Sequence, residues 1–400
     1  MKVLVLSSRF PYPPHRGDRM TVYRLLQSLR PAHNVTLVSL TDGSESADAE
    51  STIRRLGVEV HTVHLPRWRS WVQAWIGLLS TNPSQVSFYR SRRMSQLIQE
   101  VAGGETFDAI VVHMIRMTPF VSSIEHPVKI LLLGDSMSLA LRRAMVFAPL
   151  WRRLGMQWEA VRLAKLERKA ACAARETWLF SEVDRADFVA RGCPNVITVP
   201  LSVDLSLLTL PIGPRPAAMA MFLGNLSVPH NIDGAVRLAD EIWPLVRERV
   251  PDARLAIVGA DPVPSVVALG RRPGIEVTGM VPDLAPLWRT ASVLIAPLRF
   301  ATGVQTKVLE AMAAGVPVVT TPIVADGIGA RHESEMLVGQ SAADLADRVV
   351  ELLSGGGKSM DLATRARRFV SERYTWSSAL ARMERIAADA RGCAGVTLRA

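Results

Sequence analysis

The sequence predicts an α/β protein made of two parallel-sheet domains, and three observations predict it. Short apolar runs alternate with stretches of helical spacing along the chain, the pattern of parallel strands joined by crossover helices. The alternation lapses once, near Leu201–Pro216, where Pro211, Gly213, Pro214 and Pro216 cluster, and then restarts. The 400 residues suffice for two or three cored domains.

Taken in order, the apolar runs predict first-half strands at Lys2–Ser7, Asn34–Leu40, Val58–Val63, Ala109–His113, Lys129–Leu133, Thr177–Ser181 and Val196–Val199. Thr21–Leu29 and Met94–Val101 carry helical spacing between them. After the break, strands are expected at Ala218–Leu223, Arg254–Val258, Ile275–Thr278, Val293–Ala296 and Val316–Thr320. Helices are expected at Asp233–Arg249, Leu284–Thr290, Val304–Ala314, Asp344–Leu353, Asp361–Glu372 and Ser377–Arg391. The domains expected are 1–205, 206–375 and a closing helix, 376–400. Open parallel sheets bind ligands beyond the carboxyl ends of their strands, so a cleft between the two halves is the expected site.

Apolar residues make up 48% and charged residues 21%, an ordinary globular balance. Cys172, Cys193 and Cys393 fit no disulfide or metal framework, which favours a reducing, cytoplasmic setting. The first apolar run is too short for a signal-peptide core, and nothing reaches the length of a membrane span. A net charge of +10 favours anionic partners without choosing among them. No nucleic-acid-binding motif accompanies that charge, so nucleic acid is not expected. No Gly-x-Gly-x-x-Gly follows a strand, no Gly-Lys-Ser/Thr loop occurs, and the histidines form no metal set.

The most informative segment runs Val293-Leu-Ile-Ala-Pro-Leu-Arg299-Phe-Ala-Thr302-Gly303-Val304-Gln305-Thr-Lys307-Val-Leu-Glu310-Ala-Met-Ala-Ala-Gly315. It reads as a buried strand, a loop, and a helix beginning near Gly303. Gly303 permits close backbone approach, and the unpaired amides of Val304, Gln305 and Thr306 face outward at the positive end of the helix dipole. That suits a diphosphate. Lys307 adds a full charge, and Glu310, two turns from the loop, can accept both hydrogen bonds of a ribose diol. The plain alternative is a strand–helix–strand core unit with a surface Lys307–Glu310 pair worth under about 1 kcal/mol.

This segment resembles the donor-binding signature of family 4 retaining glycosyltransferases, whose fold is GT-B: two Rossmann-like domains facing a cleft. Arg9–Arg19, with Gly17, resembles the family's first glycine loop. Phe222–Asn231, with Gly224 and Asn225, resembles the loop opening its second domain, and Pro200–Asp204 stands where it often reads Pro-Asn-Gly-Val-Asp. A narrower likeness is to sugar transferases of exosortase systems. The resemblance implies transfer of a sugar, with retention, from a nucleotide diphosphate sugar to a glycan or lipid-linked acceptor for polysaccharide or glycoconjugate synthesis. It implies no cofactor and no metal. Gly17, Gly224, Asn225, Arg299, Thr302, Gly303, Val304, Gln305, Lys307 and Glu310 would hold the donor. Two departures stand out. Thr302 occupies the place of the family's first glutamate, and Asn225, His230 and Asn231 replace its phosphate-binding Arg and Lys. Lys307 and Arg299 are the residues left to supply that charge.

On the acceptor side, Asp135 and His113 each follow a strand and point toward the expected cleft. His113 has an ordinary pKa suited to proton exchange, and Asp135 suits orientation of a sugar hydroxyl. The alternatives are a structural histidine and a helix N-cap at Asp135 or Ser136. With Lys307 they form the expected catalytic set. Trp68, Trp71 and Trp75 fall at helical spacing in a stretch, His61–Gln99, that has no Asp or Glu, and a second basic stretch spans Arg142–Arg175. Such a helix can lie in an anionic lipid interface at the inner face of a membrane; the alternative packs the tryptophans into the first domain. Two further readings are a non-catalytic glycosyltransferase-like scaffold and a nucleotide-sugar epimerase of the same fold.

Overall fold

The computed structural model describes residues 1–14, 17–78, 80–213, 215, 218–301, 304–354 and 357–397. Thr302 and Gly303, both expected at the donor site, lie outside the described residues. The chain divides into two compact units, Met1–Ser202 with Trp376–Ala400, and Val203–Thr375.

The first unit carries a seven-stranded sheet: β1 (Lys2–Ser7), β2 (Asn34–Thr41), β3 (Glu59–His64), β4 (Ala109–His113), β5 (Lys129–Gly134), β6 (Glu176–Leu179) and β7 (Val196–Thr198). Their order is β3-β2-β1-β4-β5-β6-β7, and every pairing is parallel. Alternate residues of one strand enter different cores. Val3 and Val5 pack on one face of the sheet, Leu4 and Leu6 on the other. A strand buried on both faces must be apolar throughout, which is why these runs do not alternate with polar residues. The closing helix, Ser377–Thr397, belongs to this unit: Met383 and Ala387, with Trp376 just before it, enter the core that holds Val3, Val5 and Trp178. Arg382 fixes it, its Nε and Nη2 donating to Glu176 at 2.9 and 2.6 Å.

The second unit carries β8 (Met219–Leu223), β9 (Arg254–Val258), β10 (Ile275–Gly279), β11 (Val293–Ala296), β12 (Val318–Thr320) and β13 (Leu337–Val338). The order is β10-β9-β8-β11-β12-β13, again all parallel. β13 has two residues, too few to leave a periodic signal.

The structure changes the helices in three places. The one expected over Asp233–Arg249 starts at Pro229 and passes through a π-helical turn, Leu238–Ile242, before Trp243–Arg249. The helix expected over Val304–Ala314 runs only from Thr306 to Ala313. The stretch Leu150–Ala173, read from sequence as merely basic, is a 24-residue helix.

Candidate functional site

In each sheet one gap separates strands whose crossovers leave in opposite directions: β1 from β4 in the first unit, β8 from β11 in the second. Loops leaving such strands diverge and open a crevice at their carboxyl ends.

At the second-unit gap the loop after β8 begins with Gly224, whose N–H donates to the Val258 carbonyl at 3.0 Å. Gly259 faces it so closely that a Cβ there would lie 1.7 Å from the Gly224 oxygen. Asn225 accepts from the Ser227 amide at 3.0 Å and donates to Asp261 at 3.1 Å. The helix that follows, Pro229–Arg237, starts with proline at its first position, where no amide partner is required.

The loop after β11 is pinned from three sides. Thr321 Oγ1 donates to the Leu298 carbonyl at 2.7 Å, Thr320 Oγ1 to that of Ala296 at 2.8 Å, and buried Arg237 to that of Pro297 at 3.2 Å. The helix Thr306–Ala313 then begins with Gln305 as its N-cap, without a side-chain cap bond. The early amides therefore belong to Gln305, Thr306 and Lys307, which places Val304 upstream of the first turn rather than inside it. Glu310 is the fifth helical residue, little more than one turn in, rather than two turns from the loop. At the start of the helix Val304, Gln305, Lys307 and Glu310 are buried, with 8–9% of their surface exposed, and Thr306 is partly exposed. Gly224 and Asn225 are partly exposed and Arg299 is exposed.

Lys307 is the distinctive group. Its Nζ donates to Asn231 Oδ1 and lies 5.1 Å from the centre of the Phe222 ring. Asn231 passes the connection on, donating to the Asn225 carbonyl at 2.9 Å. Among the described residues no carboxylate lies within ion-pair distance of Lys307, and burial pushes its pKa down to about 7. His230 is likewise pushed down to about 4, by burial first and then by the Lys307 charge. Lys307 thus sets a buried ammonium among neutral groups beside the start of a helix, surroundings in which an anion would be favoured. Arg299 is differently placed: its Nε donates to Asp233 at 3.0 Å, so its charge is already compensated and is not a free replacement for the family's missing cation.

In the first unit the helix Gly17–Leu29 follows β1, and a Cβ on Gly17 would meet nothing within 4 Å. His113 ends β4 and is buried, its Nδ1 without a partner. Its pKa falls to about 4, from burial outweighing the attraction of Asp18. Burial thus favours the neutral imidazole at ordinary pH, away from the near-neutral titration expected of it. Asp18 joins two arginines, accepting from Arg9 Nη1 at 2.8 Å and lying 3.6 Å from Arg116 Nη1; Tyr89 OH accepts from Arg9 Nε at 2.8 Å. Asp135 follows β5. The N-cap of the next helix is Ser136, whose Oγ accepts from the Leu139 amide at 3.3 Å, so Asp135 is left without that role. Burial, then the charge of Asp184, push the Asp135 pKa up to about 8. A carboxyl that stays protonated at neutral pH donates a hydrogen bond instead of accepting a proton.

The structure brings Lys307, Gly224, Asn225 and Arg299 to one gap and Gly17 and His113 to another. Sequence reasoning missed Asn231 as the partner of Lys307, and Arg237 beneath the loop. A buried Asn three positions into a proline-started helix was the available signal for the first. The Arg9–Asp18–Arg116 cluster left no signal, because its members are far apart in sequence.

Residues 217–355 match the family described as glycosyl transferases group 1. A protein of Klebsiella pneumoniae, described only as an uncharacterized 44.6 kDa protein in the cps region, is 21% identical over 389 residues, which are 93% of this chain and 96% of that one. Among solved structures, Anabaena HepE in complex with UDP and glucose superposes with a TM-score of 0.64 at 14% identity, over 99% of both chains. Sucrose-phosphate synthase from Thermosynechococcus elongatus gives 0.68 at 15% identity over 100% of both. The likeness fixes the fold as GT-B.

Proposed function

Because residues 217–355 form a glycosyl transferases group 1 segment on a GT-B fold, we propose that this protein is a glycosyltransferase using a nucleoside diphosphate sugar. The observation that carries the proposal is the buried, carboxylate-free Lys307 beside the start of the Thr306–Ala313 helix, at the β8/β11 gap.

In this reading the diphosphate sits against the Gln305 and Thr306 amides and Lys307. Its negative charge grows as the sugar leaves, so these donors stabilise the transition state more than the bound ground state. Glu310 takes the ribose hydroxyls. The acceptor oxygen attacks the anomeric carbon on the face the diphosphate leaves. The bond from that carbon to the diphosphate oxygen breaks as the new glycosidic bond forms, and the acceptor proton passes to the departing phosphate. Retention follows without a protein nucleophile, and no step calls on a metal. A neutral His113 and a protonated Asp135 serve to position hydroxyls rather than to accept protons. A glycan or lipid-linked alcohol is the proposed acceptor.

Titration calorimetry with UDP and UDP-glucose, then with other nucleotide sugars, tests the site. Glu310→Gln is expected to weaken the preferred donor at least about tenfold, the loss of a charged hydrogen-bond acceptor. Its melting temperature should be unchanged. Equal affinity in a folded variant would remove Glu310 from the donor site. If the purified protein bound no nucleotide sugar at all, the non-catalytic scaffold reading would take its place.

A further inference from the structure

In the first unit two helices present apolar faces to solvent. On Arg67–Leu78, Trp68 and Trp75 are 65% and 70% exposed, and Trp71, Val72 and Ile76 are open too. On Leu150–Ala173, Trp151 and Leu154 are 75% and 82% exposed, with Leu150, Trp158 and Val161 on the same side. The tryptophans therefore do not pack into the domain core. At the roughly 150–250 Å² of an aromatic side chain, the exposed tryptophans alone present on the order of 500 Å², as much as the largest patch of a typical monomer.

The two helices are held together. Arg162 Nη1 donates to the carbonyls of Gly77 and Ser80 at 3.0 and 2.6 Å, and Glu159 accepts from the Ser84 amide at 2.7 Å. Arg162 also lies 4.0 Å over the ring of Trp158. The clasp thus ties the end of the first helix to the middle of the second.

Charge says what covers this face. Residues 61–99 and 136–158 hold nine arginines and not one Asp or Glu. Arg69 and Arg152 lie over the rings of Trp68 and Trp151, at 5.3 and 4.8 Å, so cationic heads sit directly beside the apolar surface. A second copy of the chain would bring the same arginines against one another. An anionic lipid surface offers both things this face lacks: apolar depth for the indoles and negative charge for the guanidiniums. Among the described residues no helix is long and apolar enough to cross a membrane, so contact here is with the surface.

We propose that the paired helices Arg67–Leu78 and Leu150–Ala173 form a docking face for anionic bilayers. The face lies wholly within the first unit, and its binding does not depend on the transfer reaction.

Co-sedimentation of the full chain with vesicles of phosphatidylcholine, alone or with 30% phosphatidylglycerol, tests it. Binding is expected on the anionic vesicles only, weakening as salt rises from about 0.05 to 0.5 M. The double variants Trp68→Glu/Trp75→Glu and Trp151→Glu/Leu154→Glu should each lose at least about tenfold in partitioning, with melting temperature and nucleotide affinity retained. Lipid-free protein should sediment as a monomer. Vesicle binding untouched by both double variants, or no binding to anionic vesicles, overturns the proposal. So does a lipid-free dimer that the same substitutions dissolve, which would make this face a contact between copies.

Discussion

Lys307→Met keeps most of the side-chain volume and deletes a buried charge. Folding lowers the Lys307 pKa from 10.5 to about 7, so between these values the unfolded chain binds more protons than the folded one. The folded state therefore carries the full penalty below about pH 7, and stability recovers as pH rises from about 7 toward 10.5. At about 1.4 kcal/mol per pKa unit the penalty is on the order of 5 kcal/mol. Losing Lys307 also leaves the carboxamide oxygen of Asn231 without this donor, at a cost of about 1–3 kcal/mol. The net expectation at pH 6 is a variant more stable by roughly 2–4 kcal/mol, or about 5–15 °C in melting temperature for a unit of this size. The advantage should shrink steadily above pH 7. The same charge is what a diphosphate answers. Wild-type affinity for a nucleoside diphosphate should fall as pH rises from about 7 to 9, with proton uptake on binding, and the variant should bind at least about a hundredfold more weakly. Differential scanning calorimetry across pH and titration calorimetry in buffers of different ionisation enthalpy measure both effects. Equal melting profiles, or a variant that binds as wild type does, would refute the idea that a buried cation is held there for an anion.

Two other substitutions probe the framework. Gly259→Ala forces a methyl to within 1.7 Å of the Gly224 carbonyl, so the backbone of the site must shift; destabilisation on the order of 3 kcal/mol or more is expected in urea unfolding, and a silent substitution would contradict the close approach. Asp135 binds a proton more tightly folded than unfolded, so its contribution to stability is whole below about pH 4 and is lost as pH rises to about 8. Asp135→Asn, which mimics the protonated form, should remove a slope of at most about 1.4 kcal/mol per pH unit in that window, and identical pH profiles would rule out the raised pKa.

The order of residues alone carries most of the architecture. Strands such as Val3–Leu6 and Ala109–Val112 are buried on both faces, so their apolar runs are continuous and unmistakable, and the prolines and glycine near 211–216 mark where one sheet ends and the next begins. It also singled out Lys307 and Glu310, because the strand–loop–helix order around them is local. What is not local comes only from long-range packing. The helix begins at Thr306 because Gln305 takes the cap, a choice no periodicity records. The partner of Lys307 is Asn231, 76 residues away, and Asp18 meets Arg9 and Arg116 only because β1 and β4 are neighbours. Helical spacing could not say whether Trp68 and Trp75 face a core or the solvent. Spacing fixes which residues share a face, and only the packing of the whole chain decides what that face meets.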